Sequence, residues 1–271
     1  MLLDDHKRKY PILISLHKSG STWVNSFIHK RYRQIGLTTP PRNLYTEFFC
    51  RDKEGDGENP DHIFVRKTDE ERIALLEHLR TFGLELNQKV HVPEIIPIWP
   101  WFKEFYKDHD ILVLKRRNIF SHWLSQLFFY CIRKGTNGRF EDTTEDGTIG
   151  IIPSKVKNKH DEDILKSTIQ QYKVKFKFNE TRFRQFVLDI RFLNDVVIKE
   201  LDKPQIIWTE DLDHFWLENR FHVNVNIKKT VEPFKTIDFA TYFKPEDMAI
   251  IKEKFEERFY NEFQFFGYEY K

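Results

Sequence analysis

Lys18-Ser19-Gly20-Ser21-Thr22 follows a short β-branched run and opens a segment of helical spacing. Strand, tight loop and helix in that order bring together backbone N–H groups, the positive end of a helix dipole, hydroxyls and one ammonium, which is a way to hold a phosphate. It is not a nucleoside triphosphatase loop: GxxxxGK[ST] places its Lys after the second Gly, and Lys18 precedes the only Gly here. Taken alone, the pentapeptide is equally an ordinary turn whose Ser and Thr cap a helix. Arg117 ends a second such run, and Ser125 lies eight residues on, about two helical turns. Together they are suited to a second phosphate, although a single Arg more often makes a surface ion pair. His91 sits in an apolar run, where a histidine is usually a packed side chain. A neutral imidazole there is also the side chain best matched to taking a proton near neutral pH.

The elements that position these residues follow from the pattern. YPILISL at 10 to 16, DILVL at 110 to 114, PQIIW at 204 to 208 and HIFVR at 62 to 66 read as strands. TWVNSFIHKRYRQIG, with Trp23, Phe27 and Ile28 at bulky apolar positions, and IFSHWLSQLFFYCIRKG, with Gly135 as its stop, read as helices. Others are expected at 69 to 82, 163 to 178, 180 to 200 and 245 to 263. This alternation predicts a three-layer α/β fold, a mainly parallel central sheet with helices on both faces, whose ligands bind beyond the carboxyl ends of the strands. Residues 135 to 161 carry four of the ten glycines and a group of acids with little periodicity, and read as a long loop able to act as a substrate lid.

A chain of 271 residues with 40% hydrophobic content is expected to form one domain, residues 1–271, without disulfides or a structural metal. Lys and Arg number 44 against 42 Asp and Glu, so no global basic field drives nucleic-acid binding, and any anion site is local. Cys50 and Cys131 stand far apart with no CxxC and are expected to be reduced. No stretch approaches the roughly 20 apolar residues of a membrane span. A cytoplasmic protein with no membrane or nucleic-acid partner is expected.

Three segments in order resemble the sulfotransferases that use 3′-phosphoadenosine 5′-phosphosulfate. His17-Lys18-Ser19-Gly20-Ser21-Thr22-Trp23 resembles the family's YPKSGTTW loop, with Leu16-His17 in place of Tyr-Pro. Lys89-Val90-His91-Val92-Pro93 resembles KTHLP, which supplies the family's base. Arg117-Asn118 with Ser125 resembles RNxxDxxxS, though Phe120 and Ser121 replace the usual Lys or Pro and Asp. Thr209-Glu210-Asp211-Leu212 is a weaker match to YEDL, with Thr in place of the Tyr near adenine, and the C-terminal segment resembles the family's last helix.

The resemblance implies that Lys18 binds the 5′-phosphate and bridging oxygen, with Ser19, Gly20, Ser21 and Thr22 completing the loop. Arg117 and Ser125 would hold the 3′-phosphate, with Lys228 and Lys229 as approximate substitutes for a late Arg-Lys-Gly segment. Trp23, or else Trp208, would offer adenine a flat face. His91 would be the general base, and Lys89 would stabilise the transferring oxygens or else be a solvated strand lysine. The implied activity is in-line transfer of a sulfuryl group to a hydroxyl or amine of a small-molecule acceptor, with no metal; no HExxH or paired-ligand spacing occurs.

The acceptor pocket is expected from Phe48, Trp99, Trp101, Phe129 and Tyr130, aromatic residues that a bulk core explains equally well. Glu141, Asp142, Glu145 and Asp146 read as a solvated loop or as an attraction for a cationic acceptor. Two alternatives stand beside the transferase: a nucleotide or metabolite kinase, disfavoured by the position of Lys18, and a non-catalytic phosphoadenosine binder in which His91 is incidental. Oligomeric state is open, since KxxxTVxxxE aligned on Thr230-Val231 puts Asn226 and Lys235 where Lys and Glu belong.

Overall fold

A computed structural model describes residues 11–34, 68–82, 89–136, 156, 159–221 and 238–270. The strand expected at 62–66, Cys50, Phe48, Lys228, Lys229, the acids at 141–146, the 226–235 segment and most of the 135–161 loop lie outside the described residues.

In chain order the main elements are β1 (Ile12–Ser15), α1 (Ser21–Gln34), α2 (Asp69–Thr81), β2 (Lys89–His91), α3 (Trp99–Phe105), β3 (Ile111–Lys115), α4 (Ile119–Gly135), α5 (Lys159–Gln171), α6 (Glu180–Arg191), β4 (Gln205–Trp208), α7 (His214–Phe221) and α8 (Pro245–Arg258). The fold is α/β, and among the described residues four strands form a wholly parallel sheet in the order β2-β1-β3-β4. The chain leaves β1 towards β2 on one side and β3 towards β4 on the other. The carboxyl ends of β1 and β3 therefore flank a topological switch point, where ligands of open parallel sheets bind.

Ile12–Ser15 and Ile111–Lys115 are buried throughout, the unbroken apolar runs of central parallel strands. β4 is an edge strand with Gln205 and Ile206 exposed. β2 has three residues, two of them polar, and all three are buried. Between β2 and β3, residues 92–105 coil through two short turns, Val92–Ile95 and Ile96–Ile98, into α3. After α6 the backbone widens into π-helical turns at Phe192–Val197 before Ile198–Glu200, and α8 widens likewise at Phe259–Phe263.

Contacts divide the chain into two compact units: Met1–Arg116 with Val187–Asn226, which carries the whole sheet, and Arg117–Phe186 with Ile227–Lys271. The core of the second is aromatic. Trp123 on α4 meets Phe183 and Phe186 at 5.2 Å each, and Phe128 stacks on Phe176 at 4.8 Å. Phe255 packs on Phe263 at 5.5 Å and Tyr270 at 5.6 Å. Gly135, the stop expected for this helix, is the last helical residue of α4, where a Cβ would lie 2.9 Å from Val174 Cγ2. The closure is made by Thr136, whose hydroxyl donates to the Ile132 carbonyl at 2.9 Å.

Among the described residues no helix is long and apolar enough to cross a membrane.

Candidate functional site

The carboxyl edge of the sheet gathers the chemistry of the first unit. In the register Ser15 stands beside His91 and Leu13 beside Lys89. Because side chains alternate along a strand, Lys89 and His91 share one face of β2 and Val90 takes the other. Glu94 accepts the His91 backbone N–H at 2.8 Å and caps the turn that Pro93 helps to start, so the peptide carrying the imidazole is fixed on both sides.

His91 is 7% exposed, its Nδ1 lies 3.2 Å from Ser15 Oγ, and its ring lies 4.1 Å from that of His17, centroid to centroid, at a 34° tilt. Its pKa is driven well below 6.5, first by burial, then by the positive charges of His17, Lys89 and Lys18; a hydrogen bond to the Ser15 backbone pulls weakly the other way. The buried imidazole is thus held neutral, with its Nδ1 beside Ser15 Oγ and its backbone N–H fixed by Glu94. Lys89, which sequence alone left as a solvated lysine or a functional one, is buried, 3% exposed.

The Leu16–Gly20 loop is tightly held. Lys18 adopts φ +64° and Gly20 φ +82°. A left-handed non-glycine residue costs on the order of 1–3 kcal/mol and persists where its surroundings impose it. They do so here: the Ser19 hydroxyl donates to the Leu16 carbonyl at 2.7 Å, and the Thr209 hydroxyl lies 2.6 Å from the Ser19 carbonyl and 3.0 Å from that of Lys115. A Cβ on Gly20 would stand 3.1 Å from Thr209 Cγ2, so the close approach and the positive φ both call for glycine. α1 begins directly after, with Trp23 and Val24 donating to the Gly20 carbonyl and no acid in its first turn to compete for an anion.

Several expected residues serve other ends. The Ser19 side chain is turned into the loop and fully buried, which leaves only its backbone for a ligand, and Ser21 is buried as well. The Thr22 side chain lies outside the described set. Trp23 is buried, edge-on to Phe27 at 6.2 Å, so its ring is packed within the protein and not held open as a platform. One face of Trp208 is taken by Lys115, whose Nζ lies 4.5 Å from the ring centroid. Trp99 is buried against Phe102 and Phe192 with its Nε1 donating to Glu200 at 3.0 Å, and Trp101 stacks on Phe105 and donates to Glu77 at 2.9 Å.

In the second unit Arg117 ion-pairs with Glu269 at 3.9 Å, and their backbones exchange a bridge in which Glu269 N–H donates to the Arg117 carbonyl and Ile119 N–H to that of Glu269. Asn118 caps α4 by accepting the Ser121 N–H at 2.9 Å. Ser125 is buried within α4. The guanidinium of Arg182 lies over the Tyr130 ring at 4.5 Å, Tyr130 also receives a bond from Asn179, and Phe129 is half-buried.

Sequence reasoning missed Lys115. It ends β3 at the switch point, 3% exposed, with Nζ donating to Asn194 Oδ1 at 2.8 Å, and burial lowers its pKa from 10.5 to about 8. Asn194 stands in the π-helical turns after α6 and donates to the Ile190 carbonyl at 2.7 Å. The KRRN run hid Lys115 because a cation next to two others reads as surface; its place in register beside Trp208 is what buries it. His17 and Ser15 were missed for the same reason, since only strand pairing sets them against His91.

No family model, curated protein or solved structure matches the chain.

Proposed function

We propose that the protein is a sulfotransferase that moves the sulfuryl group of 3′-phosphoadenosine 5′-phosphosulfate to a hydroxyl or amine of a small-molecule acceptor, with His91 as general base. The observation that carries the proposal is the pairing of a neutral, buried imidazole with Lys18 in an imposed left-handed turn, both at the carboxyl edge of β1 and β2. The proposal carries with it the finer fold expected above, three layers with helices on both faces and a P-loop-like strand–loop–helix, and a cytoplasmic location.

The donor supplies an activated sulfuryl group and a bisphosphate leaving group. Lys18, with the first amides of α1, would neutralise the oxygen from which the sulfuryl group departs. His91 Nε2 accepts the proton of the attacking hydroxyl or amine as the new bond to sulfur forms, an assistance typically worth 10²–10⁴-fold. Lys89, buried on the same face of β2, adds positive charge beside the base. Arg117 and Ser125 would take the 3′-phosphate. The ion pair of Arg117 with Glu269 is long and partly exposed, worth at most about 1 kcal/mol, so a phosphate can replace it. With the Ser19 hydroxyl turned inward and Trp23 packed, backbone amides would hold the loop's phosphate and adenine would stack on another surface.

The test is thermal unfolding with and without 3′-phosphoadenosine 5′-phosphate, ATP and AMP, in wild type, Lys18→Ala and Arg117→Ala. At 100 times its Kd a ligand adds about 2.7 kcal/mol. A shift with the bisphosphate alone, lost in both variants, supports the donor site. An equal shift with ATP, or none, refutes it. Binding without transfer to any hydroxyl or amine, unaltered by His91→Gln, makes the protein a phosphoadenosine binder.

A further inference from the structure

His17 is exposed in the turn after β1, and its ring rests on that of His91 at 4.1 Å with only a 34° tilt. The two rings meet at a tilt, close enough for a charge on one to act on the other. What they share is charge. A positive charge on the outer ring makes a proton on the buried inner ring costly, and His17 lowers the pKa of His91 in this way.

We propose that His17 is a positioning residue for charge: it keeps His91 in the neutral, proton-accepting form as the surroundings become acidic, and so extends the working range of the base to lower pH. The role of His91 as base rests on the sulfotransferase reading, whereas the charge coupling between the two rings does not. The other groups facing His91 are named by the geometry. Lys89 from β2 and Lys18 from the loop after β1 act in the same direction as His17, the Ser15 backbone opposes them, and the Glu94 carboxylate is committed to the His91 backbone N–H. Of these, His17 alone is an exposed imidazole, the side-chain type whose unperturbed charge change falls between pH 5 and 8. It is therefore the one that ties the state of the base to the acidity outside.

The experiment follows the ring carbons and nitrogens of isotope-labelled histidine by NMR as pH falls, in the full chain, with His91→Gln used to assign the resonance. Three proteins are compared: wild type, His17→Gln, which keeps a polar side chain and removes the charge, and His17→Lys, which fixes it. The expected result is a His91 midpoint that rises in His17→Gln by on the order of one pH unit and stays at or below the wild-type value in His17→Lys. An unchanged midpoint in His17→Gln, or an equal rise in His17→Lys, overturns the proposal, the second outcome by showing that stacking and not charge sets the value. The acid limb of kcat/KM should move with the NMR midpoint. A midpoint that moves in a protein transferring no sulfuryl group leaves the coupling standing and refutes the function.

Discussion

Replacing Lys115 by Met deletes an ammonium that the fold buries between Asn194 and Trp208 while keeping nearly the same length and volume. The folded pKa is about 8 against an ordinary 10.5. Between those values the unfolded chain binds a proton that the folded chain has shed, so this group makes stability rise with pH from about 8 to about 10.5, and below about 7 its cost is constant. One-site linkage over pH 7 to 10 gives a rise of about 2.5 kcal/mol. The side chain is almost wholly buried, so no discount for solvent screening applies. In the variant Asn194 loses a donor, a pH-independent cost of about 1–3 kcal/mol. The assay is urea unfolding followed by tryptophan fluorescence at pH 7, 8, 9 and 10, read as wild type minus variant. The subtraction removes Cys131, Tyr242 and Tyr270, whose raised pKa values, about 12 for Tyr270, make stability fall at high pH in both proteins. Wild type should gain about 2.5 kcal/mol on the variant between pH 7 and 10. A difference that stays level within about 0.5 kcal/mol refutes the burial of a charged amine at the end of β3.

Two further substitutions probe the loop and the second unit. Thr209→Val keeps the shape that packs against Gly20 but removes the hydroxyl near the Ser19 and Lys115 carbonyls; it should cost about 1–3 kcal/mol and speed amide exchange at residues 19 to 22, while Thr209→Ser restores slow exchange. Gly135→Ala should destabilise by about 1–3 kcal/mol because its Cβ meets Val174 at 2.9 Å, and Val174→Ala in the same chain should recover most of that loss in unfolding midpoints.

Strands whose burial makes a continuous apolar run were legible: β1 and β4 lie within the segments expected, β3 runs one residue past its own to Lys115, and the starts of α4, α6 and α8 fall within theirs. β2 escaped because three residues with polar ends carry no period, and Lys89 and His91 are strand residues only through pairing with Leu13 and Ser15. The helix expected at 163–178 instead runs from Lys159 to Gln171, with Lys173 at φ +50° just beyond it. The acceptor aromatics show the limit of composition. Trp99 and Trp101 read as pocket walls because they stand in a Pro-interrupted apolar stretch, yet that stretch coils, and coiling turns both rings onto neighbours and their indole N–H groups onto Glu200 and Glu77. The turn at Lys18 and Gly20 was legible for the opposite reason, since strand, tight loop and helix follow one another in adjacent residues.

The formal charge of the whole chain is only +2, yet its cations are unevenly spent. At the carboxyl edge of the sheet Lys18 and Lys89 both depress His91, Lys115 is buried beside the same switch point, and Arg116 is lowered by its own burial while Glu210 partly offsets the loss. Holding like charges together in a buried place costs stability, and a fold keeps such an arrangement where something negative completes it. An anion seated on the Lys18 loop would relieve that repulsion. It would raise the pKa of His91 from its depressed value. A base is most effective when its pKa approaches the working pH. On the proposed function, a ligand on the Lys18 loop would thereby tune the imidazole beside it, so that occupancy and basicity would rise together. The same His91 resonance that reports on His17 should therefore move to higher pH when 3′-phosphoadenosine 5′-phosphate is added, and stay where it was in Lys18→Ala.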